Sequence, residues 1–446
     1  MTAIVWFRRD LRVRDHPALR HALAEHDRIV PFFCLDPRLL HGRHASGPRT
    51  QFMLECLADL DESLDGRLVV RHGRPEEELV RIAREAGAGD VYFSADVSPF
   101  ARQRGSRVNE AGLRLHACPG LTVVDDVGAL QTGTGRPYTV FSPFHRRWSG
   151  EPRRAVLRAP RKLAGPSLSG AIPSLTELGL RQEVEEPMPG GETAARRRLA
   201  AFSIEDYSRE DLESSSRLSP YLHFGCVSPL EVETREPGLG RQLAWRDFYH
   251  HVILRFPRNA VQEHQERYRG SLAWDHDGEL LSAWQEGRTG YPLVDAGMRQ
   301  LRREGWMHNR ARLVVGSFLT KHLGLDWRLG ERWFMRLLID GDEANNNGNW
   351  QWIASVGVDP QPAYRRLYNP ARHLERFDPD GTYVRRYVPE LQRVPMTHLP
   401  EPWKMPPELQ RQAGCTIGRD YPAPIVDHRE ARAAALERYR SAAAAA

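Results

Sequence analysis

The first third of the chain alternates two kinds of pattern, and that alternation limits the possible folds more than any other feature. Apolar runs at residues 3–7, 29–35, 68–71, 91–94 and 121–124 read as buried strands. Between them lie amphipathic stretches such as residues 51–64, where Phe52, Leu57, Leu60 and Leu64 recur near helical spacing. Strands apolar on both faces, alternating with helices, specify a parallel, doubly wound α/β sheet. A ligand of such a domain sits at the carboxyl edge of its strands. No GxGxxG follows the first run, so a dinucleotide fingerprint is absent. The chain turns instead through Phe7-Arg8-Arg9-Asp10-Leu11-Arg12, expected to be a salt-bridged surface loop.

From about residue 130 to 192 the chain becomes rich in Gly, Pro, Ser and Arg with weak periodicity, which reads as a long connector. Helical patterning follows, notably at residues 241–254, 293–303 and 311–323, and the tail after Arg429 reads as a last helix. The expected division is an α/β domain at 1–130, a connector at 131–192 and an all-helical domain at 193–446. A content of 41% hydrophobic residues over 446 positions is enough for such cores. The five cysteines are scattered, odd in number and without a CxxC pair, which argues for a reducing compartment and against structural zinc or an iron-sulfur cluster. No apolar run approaches the roughly 20 residues of a membrane span, and no signal-peptide core opens the chain, so a cytoplasmic monomer is expected. The net charge of +5 is compatible with a polyanionic partner but too small to identify one.

The helical part holds the residues suited to chemistry. Residues 339–352, IDGDEANNNGNWQW, crowd three acids, four asparagines and two tryptophans together. Taken alone the segment fits a helix-linking turn with two core tryptophans, or a loop bent around a bound group. Ser214-Ser215-Ser216-Arg217-Leu218-Ser219-Pro220 offers hydroxyls before a proline that opens a helix, a pattern fit for a phosphate or for an ordinary cap. Gln242, Trp245, Arg246 and Tyr249 share a helix face, and Asn309 and Arg312 lie one turn apart. A buried arginine needs a carboxylate, and Asp340 or Asp342 can supply it.

With these blocks in view, the chain resembles the photolyase and cryptochrome flavoproteins, closest to the class I-like cyclobutane pyrimidine dimer photolyases. The resemblance runs through WFRRDLRVRDHPAL, SSRLSPYLHFG, LAWRDFYHH, AWQEGRTGYPLVDAGMRQLRREGWMHNRAR, DWRLGERWFMRLLIDGDEANNNGNWQW and YNPARHLERFDPDGTYVRRYVPEL, covering nearly the whole chain in order. It implies an N-terminal domain for an antenna chromophore, a folate or a deazaflavin, and a helical domain that binds FAD and damaged DNA. By position it implies that Ser215, Ser216, Arg217, Leu218 and Ser219 hold the FAD pyrophosphate. Tyr207 joins them across a spacer shorter than the family's. Arg246, Asn309, Arg312, Asp340 and Asp342 would line the flavin and adenine, and Asn346 would face flavin N5. Trp350, Trp327 and Trp274 match the family's electron-transfer series. Trp245 and Trp352 match the pair that embraces the lesion. Arg310 and Arg372 would grip the DNA backbone, and Asn109 and Glu110 match folate-holding positions.

The resemblance implies light-driven repair of pyrimidine dimers, with a blue-light sensor as the alternative. Two positions facing the lesion depart from the family pattern. Gln242 stands where dimer-repair enzymes usually carry glutamate, and Leu313 where they commonly carry methionine. Enzymes for (6-4) lesions use two histidines one turn apart, and Asn309 and Leu313 occupy those positions here.

Overall fold

The computed structural model describes residues 1–444 apart from 169, 208 and 360, and only the backbone of residue 206. Strands β1 (Thr2–Phe7), β2 (Arg28–Leu35), β3 (Val69–His72), β4 (Ala88–Ser94) and β5 (Arg114–Cys118) form one parallel sheet in the order β3-β2-β1-β4-β5. Every residue of β1 is buried, as expected of a central strand covered on both faces. The helices Gly47–Ser63 and Pro99–Glu110 each begin with a serine cap, Ser46 and Ser98, and a proline in the first turn. The strand order reverses beside β1, so the crevice of the sheet opens where β1 and β4 end.

Two expectations for this part need correction. Residues 121–124 are not a strand; the fifth strand is Arg114–Cys118. The apolar run is buried, but its backbone is satisfied by the helical part: Val123 N–H donates to Asp247 at 2.9 Å, and Arg246 donates to the Leu121 carbonyl at 2.6 Å. Apolarity reported burial there, and only tertiary partners decided that it would not be sheet. Likewise the charged turn after β1 is not a surface loop. Asp10, Leu11 and Arg12 are at most 1% exposed. Arg12 donates to the Gly225 and Gly120 carbonyls, both at 2.9 Å, and the Leu11 N–H donates to the Phe224 carbonyl. This turn is the joint between the sheet and the helices.

Among the described residues the connector contains one helix, Phe141–Ser149, and part of it runs over the sheet domain, where the Ile29 N–H donates to the Ala164 carbonyl at 2.7 Å. Beyond it, Ser219–Phe224 and Gly240–Arg255 pack into the apolar cluster of the sheet domain, while the later helices build a second cluster around Trp284, Phe318 and Trp327. The expected helix at 311–323 is α-helical as Asn309–Ser317 and then widens into a π-helix, Phe318–His322. Among the described residues no helix is long and apolar enough to cross a membrane.

The π-helix docks the last helix, His428–Ala444. His322 Nε2 lies 2.8 Å from His428 Nδ1, and burial pushes the His322 pKa down to about 3. His428 is lowered too, by burial and then by Arg432. Folded histidine therefore binds fewer protons than unfolded histidine between about pH 6.5 and 3, so stability is full above that window and falls as pH drops through it. The loss per such group is about 1.4 kcal/mol per pH unit. Chemical denaturation at pH 7.5 and 5.5 should show this loss in the wild type and a shallower one in His322→Gln.

Candidate functional site

The polar segment at residues 339–352 organises the site. Asp342 caps the helix Glu343–Ile353, accepting from the Asn345 N–H at 2.8 Å. Its other oxygen is ion-paired to Arg9 from the turn after β1, and lies 3.9 Å from both His223 Nδ1 and His250 Nε2. Burial alone would raise the Asp342 pKa, but Arg9, His250 and His223 hold it well below the carboxylate range. Glu343, one residue on, is pushed up to about 7 by burial and by Asp342, Asp96 and Glu331. Asp340 receives Arg312 at 2.8 Å, the pairing expected for a buried arginine, and its second oxygen is buried without a partner.

Asn346 gives its amide N–H groups to Glu331, at 3.0 Å to the backbone carbonyl and 3.3 Å to the carboxylate, which leaves its Oδ1 as the free end. Trp350 is buried against two glycines. A Cβ at Gly330 would stand 2.1 Å from the Trp350 ring, and one at Gly316 would stand 3.6 Å away. Gly330 belongs to the helix Trp327–Leu337, one turn after Trp327, which is itself 1% exposed. Trp274 is only partly buried. Trp350 and Trp327 are thus both interior, and Trp274 lies nearer the surface.

In the serine cluster, Ser215 Oγ accepts from the Arg217 N–H and Ser216 Oγ from the Leu218 N–H, while Ser219 Oγ accepts from Trp306 Nε1 at 3.2 Å. Arg217 is left-handed, with φ +49°, and its guanidinium is taken by Glu304 at 2.8 Å and by the Trp306 ring. Leu218 is buried and Tyr207 half-buried beside Gln242. The Arg246 guanidinium is committed to the Leu121 and Leu222 carbonyls, and Asn309 is exposed at the start of its helix.

Both tryptophans of the expected lesion pair have one face covered. Phe141 stacks on Trp245 with centroids 3.7 Å apart and planes within 6°. The Arg366 guanidinium lies 4.0 Å over Trp352 and donates to its carbonyl at 2.7 Å. Their helices press together where a Cβ at Gly348 would meet the Tyr249 ring at 2.1 Å. Gln242 is exposed and Leu313 half-buried. Arg310 donates to the Arg209 and Asp211 carbonyls, and Arg372 is exposed on Pro370–Phe377. Asn109 and Glu110 are exposed at the end of Pro99–Glu110. Sequence reasoning missed Arg9, His223, His250, Phe141 and Arg366. The adjacent arginines of the first turn were a usable signal, since nothing local could neutralise both.

Residues 3–162 match the DNA photolyase domain, and residues 239–441 match the FAD binding domain of DNA photolyase. The deoxyribodipyrimidine photo-lyase of Streptomyces griseus is 42% identical over 458 residues, covering 97% of each chain. The chain belongs to the DNA photolyase family. A bacterial class III photolyase from Agrobacterium tumefaciens superposes with a TM-score of 0.90 at 33% identity, covering 99% of this chain and 98% of that one. A Synechocystis cryptochrome superposes at 0.87 with 29% identity and 98% coverage of both chains. The photolyase architecture of a parallel-sheet domain followed by a helical FAD-binding domain is therefore the architecture of this chain, and FAD is its cofactor. The residues present fit that group. Asp340 Oδ1 and His223 Nδ1 are buried polar atoms without a hydrogen-bond partner, and the serine hydroxyls lie at the opening of Ser219–Phe224. Both Asp342 oxygens, by contrast, are already engaged by protein groups.

Proposed function

We propose that the protein repairs cyclobutane pyrimidine dimers in DNA in the light, as a deoxyribodipyrimidine photo-lyase. The observation that carries this is the pair of indoles, Trp245 and Trp352, each backed on one face by a fixed partner. Such plates suit the stacking of unpaired bases, at about 1–3 kcal/mol per base. Arg310 and Arg372 would neutralise DNA phosphates while the dimer, whose stacking is already weakened, turns out of the duplex. The chemistry FAD supplies when bound is a light-driven donation of one electron to the dimer and its return after the cyclobutane ring opens.

The protein's own contribution is placement and protection. Ser215, Ser216, Leu218 and Ser219 would hold the pyrophosphate, with Arg217 and Tyr207 shaping their loop. Arg312 with Asp340, and Asn309 and Arg246, would line the ring system, and Asn346 would face flavin N5, its Oδ1 able to accept a hydrogen bond from an N–H there. Trp350, Trp327 and Trp274 would carry electrons inward from the surface. The division at 1–130, 131–192 and 193–446 separates antenna, connector and catalytic parts. For an antenna chromophore, the carboxyl edge of the sheet is better furnished than Asn109 and Glu110. There Arg8 and Arg104 lie over the Trp6 ring, each with a buried, unpartnered Nε.

The test is direct. Purified, reduced protein is illuminated with dimer-containing and with (6-4)-containing oligonucleotides, and restored bases are counted. Restoration of the dimer alone is expected, and flavin absorption without repair would favour the light-sensor alternative. Gln242 cannot present a negative charge to the lesion, and Gln242→Glu should raise dimer repair on the order of tenfold, the scale of one charge-assisted hydrogen bond over a neutral one. Equal or lower repair would show that glutamine is adapted to its substrate.

A further inference from the structure

A carboxylate stands beside the middle tryptophan of the series, and no role above uses it. Glu263 lies in the loop between Pro257–Ala260 and Glu266–Tyr268, and is 4% exposed. Its Oε1 accepts the indole N–H of Trp327 at 3.3 Å, and its Oε2 accepts from Arg328 at 2.8 Å. The Arg328 guanidinium is in turn 4.8 Å from the centre of the Trp327 ring and also pairs with Asp326 at 3.1 Å. Gln351, the residue after Trp350, fixes this loop. It accepts from the His264 N–H at 3.0 Å and donates to the Asn259 and Gln262 carbonyls at 2.8 and 3.1 Å. One helix therefore sets Trp350 against Gly330 and Glu263 against Trp327.

Arg328 already has Asp326, and an indole N–H is satisfied by any neutral acceptor, so neither need explains a buried carboxylate here. An indole that has lost an electron is different: it is a cation with a strengthened N–H donor, and a negative acceptor stabilises both. Trp350 has aromatic neighbours instead, with Phe334 at 5.0 Å and Trp284 at 6.2 Å. We propose that Glu263 is a positioning residue that makes Trp327 easier to oxidise than Trp350, so that positive charge formed on Trp350 moves outward. The proposal rests on the electron-transfer reading of the tryptophans. In the step one electron passes from Trp327 to oxidised Trp350. Trp350 becomes neutral, Trp327 becomes a radical cation, and its N–H proton stays on nitrogen in the hydrogen bond to Glu263. Arg328 acts in the opposite sense on the ring, while its hydrogen bond holds the carboxylate in place.

The experiment is transient absorption of the FAD-loaded protein after a laser flash, with flavin content and melting temperature as controls. Glu263→Gln keeps an acceptor and removes the charge. It is expected to lower the yield of long-lived tryptophan radical at least about tenfold, since a unit charge at hydrogen-bond distance outweighs one tenfold factor even in a polar interior. Glu263→Asp should behave nearly as wild type. Glu263→Gln combined with Arg328→Gln should recover most of the yield, which a purely structural role would not produce. If Glu263→Gln fails to hold FAD, Arg328→Gln alone is expected to speed the Trp350-to-Trp327 step, and an unchanged or slower step overturns the proposal. Trp327→Phe separates the two ideas. Undiminished photoreduction in that variant defeats the tryptophan series itself, whereas lost photoreduction together with wild-type kinetics in Glu263→Gln defeats this proposal alone.

Discussion

Asp342→Asn is expected to destabilise the folded protein by about 3–5 kcal/mol and to leave it largely without flavin. The asparagine side chain can still accept from the Asn345 N–H, so the helix cap survives and the effect isolates the charge. What is lost is the nearer of the two carboxylates paired with Arg9; Asp96 remains at 3.6 Å. Arg9 would then sit beside His223 and His250, which burial holds down to about 4 and so nearly neutral, with its charge poorly compensated. Arg9 comes from the turn after β1 and also donates to the His223 carbonyl at 3.3 Å, so the damage should reach the junction of the two domains. Urea denaturation and the flavin-to-protein absorbance ratio measure the two effects. A variant with wild-type stability would mean that Arg9 is solvated and that the junction does not depend on this pair.

Gly330→Ala should have the second-largest effect, through geometry instead of charge. The added methyl carbon would stand 2.1, 2.5 and 2.6 Å from three carbons of the Trp350 ring, closer than any real contact. The ring cannot retreat freely, because Gly316 and the Phe334 ring close its other sides. Overpacking of this kind costs about 1–3 kcal/mol, and the displaced indole should slow photoreduction of bound FAD. A calorimetric melt and the rate of flavin bleaching under blue light in the presence of a reductant would check both. Photoreduction at the wild-type rate would show that the position of Trp350 is not what limits electron entry.

Much of the fold was legible because it rests on local patterning. Four of five strands and the main helices of the second domain follow from apolar periodicity, which burial enforces wherever a chain makes sheet or amphipathic helix. The fifth strand was misplaced because residues 114–118 form an exposed edge with mixed polarity, whereas residues 121–124 are buried against the first apolar cluster while their backbone bonds to Asp247 and Arg246. The candidate site was legible as far as its residues share one segment: Asp340, Asp342, Asn346, Trp350 and Trp352 all fall within residues 339–352. Arg9, Phe141 and Glu263 were not legible, since each works on a residue more than 60 positions away.

By itself, then, the sequence determined the two kinds of domain and the family, because these are set by periodicity and by the order of short motifs. Tertiary structure alone decided which charges are buried and with whom. It turned FRRDLR from a surface loop into the domain joint, gave Asp342 to Arg9, closed one face of Trp245 and of Trp352, and set Glu263 against Trp327. The physical reason is that a buried charge or a stacked ring takes its energy from a neighbour distant in sequence, and nothing local in the chain announces that neighbour.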